Sequence, residues 1–194
     1  MIFRDETYSV LLVSASEKFN TITAALLPNS EFWPVTICRC AAEAQRKLLE
    51  TEYDIILVNT PLPDEFGTRL AVDACRETQA SVLLLIRREL HDDIYYKVME
   101  SGVITLAKPV SEQSMSQMLR TLCSVRERMR RAEERQSSVE QKIEELRIVN
   151  RAKWVLIERL HMTEEDAHRA IRRQAMDNRI SQREAAEDVL RTYQ

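Results

Sequence analysis

The sequence predicts an α/β domain with a five-stranded parallel sheet, followed by one long helix and a small bundle of three helices. Three observations support this division. Both glycines and all five prolines lie among the first 109 of the 194 residues. Apolar runs of strand length recur in the same part, whereas beyond Pro109 the apolar residues follow a seven-residue repeat. Because glycine and proline form turns and end helices, their absence from residues 110–194 favours long helices.

Five short apolar runs predict the strands of the first domain. They are Ser9–Val13, Pro34–Cys38, Asp54–Val58, Ser81–Ile86 and Val103–Ala107. Segments with helical spacing, such as 43–50 and 68–78, separate them. Continuous apolar strands that alternate with helices indicate a parallel sheet covered on both faces. Binding sites in such sheets form at the carboxyl ends of the strands, which are here Ser14–Ala15, Asn59, Ile86–Arg87 and Lys108–Pro109.

Two of these strand ends resemble those of a response-regulator receiver domain. The segment DIILVNTPLPDEFG (54–67) is similar to the third strand of that family and its following loop. The segment GVITLAKPV (102–110) is similar to the fifth strand with its Lys-Pro ending, where the family has a cis bond before the proline. The resemblance covers roughly residues 6–111 and implies a flavodoxin-like fold.

The residues that carry receiver chemistry are replaced in this chain. By this resemblance, the family has its phosphate-accepting aspartate where this chain has Asn59. It has its metal-binding acidic pair where this chain has Ser14 and Ala15, and a hydroxyl residue where this chain has Ile86. Only Lys108 matches the family. An acyl phosphate requires a carboxylate nucleophile, and Mg²⁺ requires anionic oxygen ligands. We therefore expect a pseudo-receiver that is not phosphorylated, in which Lys108 is a remnant ion-pairing or surface lysine rather than a phosphate ligand.

After Pro109 a heptad pattern predicts a coiled-coil helix from about Ser111 to Leu160. Nine of the ten a and d positions between Met115 and Leu146 are apolar, which is the spacing of a dimer seam. The predicted seam residues are Leu122, Val125, Met129, Val139, Ile143, Leu146 and Asn150. Asn150 at an a position could fix the register of a parallel pair. The alternative is a single helix packed on its own domain.

Two further helices are expected after the long one. Thr163 with the acids that follow it, and the capping box from Ser181 to Glu184, mark their first turns. Ala167, Ile171 and Ala175 share one helix face. The run Trp154–Ile157 is apolar in almost every helical direction, so we expect the two helices to close a small core against residues 154–160.

This last region resembles an ANTAR domain. The matching features are Ala152–Lys153, Met162–Ala167, Ile171–Met176 and the ending Ala186–Leu190. The order of the whole chain is similar to regulators of the amide-operon antiterminator type. That resemblance implies a pseudo-receiver at 1–111, a coiled-coil linker at 112–138 and an ANTAR domain at 139–194. It also implies binding to paired hairpins of leader RNA, which prevents a transcription terminator from forming.

Basic residues opposite the apolar face are the candidate RNA ligands. At 100° per residue, arginines of the first added helix lie opposite Ala167, Ile171 and Ala175, and further cations precede them. The candidates are Arg151, Lys153, Arg169, Arg172, Arg173 and Arg179. Guanidinium groups can contact phosphates and stack on unpaired bases. Lys153 falls on a d position, where a buried charge is costly, so it should lie outside the closed seam. The alternative is that these residues lie on a solvent-exposed face without a binding role and form ordinary ion pairs with Glu164–Asp166.

The charge, the apolar runs and the cysteine spacing limit the classes of protein to which this chain could belong. The net charge is −3, but residues 111–194 carry 17 basic and 15 acidic side chains against 11 and 16 in residues 1–110. The sequence contains no apolar run long enough for a membrane span, no leader pattern and no cysteine spacing typical of a metal site. We expect a cytoplasmic homodimer without enzyme activity, cofactor or metal, controlled by a regulatory protein, a small ligand or oligomerisation. An adaptor that binds only proteins is the alternative.

Overall fold

The computed structural model describes residues 7–193. The chain divides into two compact units, of which one ends at Arg130 and the other begins at Arg131. The division falls within one helix of 49 residues, Glu112–Leu160, which contributes to both units. The domain boundaries predicted at 111/112 and 138/139 remain predictions. No helix among residues 7–193 is long and apolar enough to cross a membrane.

The first unit contains the predicted five-stranded parallel sheet. Its strands are β1 (Tyr8–Val13), β2 (Phe32–Cys38), β3 (Ile55–Asn59), β4 (Ser81–Arg87) and β5 (Ile104–Lys108). The order across the sheet is β2-β1-β3-β4-β5, and all neighbouring strands run parallel. The predicted strands are confirmed, with ends that differ by at most two residues. The Lys108–Pro109 bond is cis, as the receiver resemblance implied.

Helices cover both faces of this sheet. They are α1 (Glu17–Ala25), α2 (Ala41–Glu50), α3 (Thr68–Glu77), α4 (Arg88–Val98) with a 3₁₀ turn at Met99–Ser101, and the first turns of α5 (Glu112–Leu160). Because side chains alternate along a strand, Leu11 and Val13 pack on the face of α2–α4. Val10 and Leu12 pack on the opposite face, together with Leu119 of α5.

The beginning of α5 is part of this core, which corrects one seam residue. Leu122 is completely buried beside Met115 and Leu119 against the sheet. It is therefore not available to a second chain, and the alternative of a helix packed on its own domain holds for these turns. A heptad pattern creates one apolar face, and that face can cover a sheet as well as a second helix. Val125 and Met129 are half-buried.

The second unit is the predicted three-helix bundle, built from the end of α5 with α6 (Glu164–Asn178) and α7 (Gln182–Tyr193). The Thr163 hydroxyl accepts a hydrogen bond from the Asp166 amide, and the Ser181 hydroxyl accepts one from the Glu184 amide. Both predicted caps are thus confirmed. The core consists of Val149, Ala152, Leu156, Ala167, Ile171, Ala175, Ala185, Ala186 and Val189.

Trp154 does not belong to this core, contrary to expectation. Its relative exposure is 69%, whereas Leu156 is buried and Val155 and Ile157 are half-buried. At 3.6 residues per turn, Trp154 points about 140° away from the core residue Val149. Alanines supply five of the nine core positions. Because alanine side chains are small, a narrow contact between the helices is enough to bury them. Two helices therefore leave one side of α5 uncovered.

Candidate functional site

The carboxyl edge of the sheet holds a closed network of hydrogen bonds where receivers keep their phosphorylation site. The Lys108 Nζ atom donates to Asn59 Oδ1 at 2.8 Å and also to the Thr60 carbonyl oxygen. Asn59 Nδ2 donates to Ser14 Oγ at 3.0 Å. Ser14 and Asn59 are buried. The Lys108 amine, the Asn59 amide and the Ser14 hydroxyl therefore bond to one another.

The remaining residues of this edge do not fit receiver chemistry. Ile86 is completely buried in the core layer of α2–α4, and Ala15 is exposed without a ligand atom in its side chain. Among residues 7–193, no cluster of three or more His, Cys, Asp or Glu side chains could hold a metal ion. Burial lowers the pKa of Lys108 from its ordinary value, and the nearby charge of Arg87 lowers it further.

The carboxylates nearest to β3 in sequence serve structural roles. Asp64 accepts hydrogen bonds from the backbone amides of Ala41 and Ala42 at the start of α2, both at 2.9 Å. These bonds lower the pKa of Asp64. Asp54 accepts from the Ser9 amide at 3.0 Å and pairs with Arg126 of α5 at the same distance. Neither carboxylate takes the place of the missing aspartate at Asn59.

The outer face of α6 brings three of the predicted arginines together. Ala167, Ile171 and Ala175 are buried, so the opposite side of the helix faces solvent. Side chains of that side line a shallow depression, and they are Glu165, His168, Arg169, Arg172, Arg173, Met176 and Asp177. The predicted inward face of α6 is thus confirmed, and the exposed face combines guanidinium groups with one imidazole and one thioether.

The arginines of this face differ in their partners. Arg169 contacts Glu165 at 3.1 Å and Asp166 at 3.8 Å, and Arg173 lies 3.6 Å from Asp177. Exposed pairs of this kind contribute little stability, about 0.3–0.5 kcal/mol each. Among the residues that the structure describes, Arg172 makes no ion pair. A bound anion would therefore displace only weak contacts on this face.

Comparison with known proteins assigns this region. A family model described as the ANTAR domain matches residues 137–190. This match covers the end of α5, all of α6 and most of α7, and we refer to the matched residues as the ANTAR domain. The chain is also 26% identical over 140 residues to the transcriptional regulatory protein PdtaR of Mycobacterium tuberculosis, an alignment that covers 72% of this chain and 68% of PdtaR.

Solved structures assign the fold of the other unit. The signal receiver domain of an HD domain-containing protein from Pseudomonas fluorescens superposes with a TM-score of 0.58 at 22% identity, over 70% of this chain and 98% of that domain. The chemotaxis response regulator CheY4 of Vibrio cholerae superposes with a TM-score of 0.52 at 20% identity, over 60% of this chain and 99% of CheY4. The chain therefore combines a receiver-type fold with an ANTAR domain, as the two resemblances implied.

The other predicted RNA ligands lie elsewhere in the ANTAR domain. Lys153 is only 16% exposed, and its Nζ atom contacts Glu164 Oε1 at 2.9 Å, which lowers the pKa of Glu164. This pair ties α5 to the start of α6. Arg151 is exposed on α5. Arg179 follows the end of α6 with a left-handed backbone (φ 55°), so its direction does not follow from the helical angle.

A second groove of the ANTAR domain contains side chains that the sequence did not single out. It measures about 400 Å³ and lies among the three helices. Its lining consists of Lys142, Glu145, Leu146, Val149, Asn150, Lys153, His168 and Gln182. His168 lines both this groove and the depression on α6. No motif marked His168 or Gln182, because their proximity to α5 arises only when the helices pack.

Proposed function

We propose that this protein is an RNA-binding transcription antitermination regulator that recognises paired hairpins in leader RNA. The observation that carries the proposal is the exposed α6 face of the ANTAR domain, with Arg169, Arg172 and Arg173 around Met176. Planar guanidinium groups bind phosphates and stack on bases, and RNA hairpins present unpaired bases in their loops. The similarity to a transcriptional regulatory protein supports the same function.

The proposed regulator is a homodimer that pairs along α5. Val139, Ile143 and Leu146 are exposed at heptad spacing, and Asn150 follows at the next a position. Exposed apolar side chains at a and d positions are favourable only when a second helix covers them. Two ANTAR domains in one dimer would bind two hairpins of the same RNA, and the linkage would raise the effective concentration for the second hairpin.

Control of this dimer would not use an aspartyl phosphate. The network of Ser14, Asn59 and Lys108 has an amide at the acceptor position and no acidic pair for Mg²⁺. The receiver-type unit therefore serves as a pseudo-receiver. Its signal would come from a regulatory protein, a small ligand or the state of oligomerisation.

A gel-shift titration tests the RNA assignment. The probe is an RNA with two stem-loops whose loop sequences are enriched from a random pool on the wild-type chain. We expect the double variant R172A/R173A to bind this RNA more weakly, with a smaller dependence of the dissociation constant on salt, because fewer phosphate contacts release fewer counterions. The matched control is R183A/R191A, which removes two exposed arginines of α7 that pair with Glu187 and Asp188.

Three results would contradict different parts of the proposal. Equal loss of affinity in R172A/R173A and R183A/R191A would mean that only total charge matters, and that the α6 face is not the site. Failure to enrich any RNA, together with salt-insensitive capture of a protein partner, would favour the protein-binding adaptor. Acetyl phosphate labelling of Asp54 or Asp64 would contradict the pseudo-receiver.

A further inference from the structure

Trp154 is an aromatic side chain of the ANTAR domain that is largely exposed, at 69%. An indole is a large apolar group, and its burial in a core or an interface is favourable. Neither α6 nor α7 covers it, because the bundle core uses Val149, Ala152 and Leu156 of the same helix. Its indole ring is therefore accessible to a ligand from outside the chain.

The apolar stripe that we assign to the dimer does not continue to Trp154 in heptad register. The d position after Leu146 is Lys153, which is largely buried and bonded to Glu164 of the chain's own α6. A partner helix in register therefore loses its apolar contacts after Asn150. Trp154 lies at the border of the stripe, on the side of Arg147 and Arg151.

The surroundings of Trp154 suit a nucleotide. Arg151 precedes it by three residues, which places the two side chains next to each other on the helix surface. Arg151 is exposed and, among the described residues, forms no ion pair. Arg147 lies one turn further and makes a weak exposed contact of 3.6 Å with Glu144. An aromatic ring beside unpaired or weakly paired arginines is the combination that binds single-stranded nucleic acid, by stacking on the base and contacting the phosphate.

We propose that Trp154 is the stacking platform for an unpaired base of the bound RNA, whose phosphate contacts Arg151. This inference rests on the proposed RNA-binding function and adds a second contact surface, on α5, to the arginines of α6. It also assigns the selectivity for unpaired bases to Trp154, because a base within a duplex has no free face for the indole.

The chain contains only two tryptophans, so its own fluorescence can test the inference. The variant Trp33→Phe removes the other indole, an exposed side chain of β2, and leaves Trp154 as the reporter. Titration with the enriched two-hairpin RNA should quench the emission, with the same midpoint as the gel shift. The converse variant Trp154→Phe, in which Trp33 reports, should bind RNA without a change in emission.

Affinity measurements give a second readout. We expect Trp154→Ala and Trp154→Leu to raise the dissociation constant by about 5- to 150-fold, which is the range for loss of one stacked base. Trp154→Phe keeps an aromatic face and should retain most of the affinity. Because Trp154 is exposed, circular dichroism of all three variants should match that of the parent chain.

Three outcomes would overturn the inference. RNA retarded by the Trp33→Phe protein without quenching, together with unchanged affinity in Trp154→Ala, would leave the proposed function intact and exclude Trp154. A blue shift of the Trp154 emission that depends on protein concentration, in the absence of RNA, would assign the indole to a second copy of the chain. Absence of any retarded RNA with the wild-type chain would remove the proposed function as well.

Discussion

The two units of the chain differ in where they keep the side chains that a partner would need. In the receiver-type unit, Ser14, Asn59 and Lys108 bond to one another at the sheet edge. In the ANTAR domain, Arg172 and Met176 project from the helix surface, and Met176 is 74% exposed. Satisfied, partly buried polar groups contribute to folding stability, whereas exposed cations and apolar groups contribute to association. Substitutions in the two units should therefore have different effects.

The same difference divides α5. Leu122 and Leu146 belong to the same heptad pattern of apolar residues. Leu122 is completely buried against the sheet, whereas Leu146 is exposed. One sequence pattern thus covers a domain core in one part of the helix and remains open to a second chain in the other.

The largest effect is expected from a matched pair of leucine substitutions. Leu122→Ala should lower the free energy of unfolding of the receiver-type unit by about 2–5 kcal/mol, because it leaves a cavity beneath the sheet. Leu146→Ala should change it by about 0.5 kcal/mol or less, since the side chain is exposed and is not part of the receiver-type core. Urea denaturation of both variants in a Trp154→Phe background, where Trp33 is the remaining indole, measures both. Similar losses in the two variants would break the comparison.

Self-association should depend on the exposed apolar side chains of α5, which contribute little to the stability of the receiver-type unit. Replacement of Ile143 and Leu146 by serine should weaken the dimer by at least about tenfold, because each side chain contributes roughly 1.5–3 kcal/mol when buried. Sedimentation equilibrium of the full chain measures the dissociation constant. The control is Val155→Ser, a half-buried position on another side of the same helix. An unchanged association in the double variant would remove α5 from the interface.

A smaller effect is expected at the sheet edge. Asn59→Ala removes an acceptor of Lys108 and the donor to Ser14, and should lower the free energy of unfolding by about 1–3 kcal/mol because the remaining polar groups lose their partners. Asn59→Asp should not restore phosphorylation, since Ser14 and Ala15 stand where Mg²⁺ would need an acidic pair. Incubation with radiolabelled acetyl phosphate checks this, with a competent receiver as the positive control. Labelling of Asn59→Asp would show that the edge is open to phosphate.

The smallest effect concerns pH. Burial lowers the pKa of Lys108 below its ordinary value of 10.5, so the folded state holds this proton less tightly than the unfolded state. The resulting contribution to stability is complete above pH 10.5 and is lost as the pH falls through the folded pKa. Relative to Lys108→Met, the parent chain should therefore gain stability as the pH rises towards 10.5. A parallel pH dependence of both proteins would contradict the desolvation of Lys108.

Local patterns were sufficient for much of the fold. The alternation of apolar runs with helical spacing predicted the parallel sheet, and the caps at Thr163 and Ser181 predicted the helix starts to within a residue. The inward face of α6 followed from the helical period. These features depend on residues close in sequence, whose geometry is fixed by backbone hydrogen bonds and side-chain alternation.

The features that the sequence patterns did not predict depend on contacts between segments that are far apart in the chain. The heptad pattern could not distinguish a sheet from a partner helix as the surface that covers Leu122. It also could not show that the alanine-rich contacts of α6 and α7 with α5 would leave Trp154 outside the bundle core. His168 and Gln182 meet the α5 groove only because three helices pack together. For Arg179 the helical angle gives no direction, because the helix ends before it.

The sequence by itself determined which chemical groups this protein has: an amide in place of an acceptor carboxylate, a lysine after the fifth strand, and arginines opposite an apolar helix face. Residue types and their periods are enough for that, since they decide which local structure forms and which groups can react. Only the tertiary structure decided which of these groups are satisfied internally and which remain open to a partner. Burial and hydrogen-bond partners depend on segments that are far apart in the chain, and no local pattern specifies them.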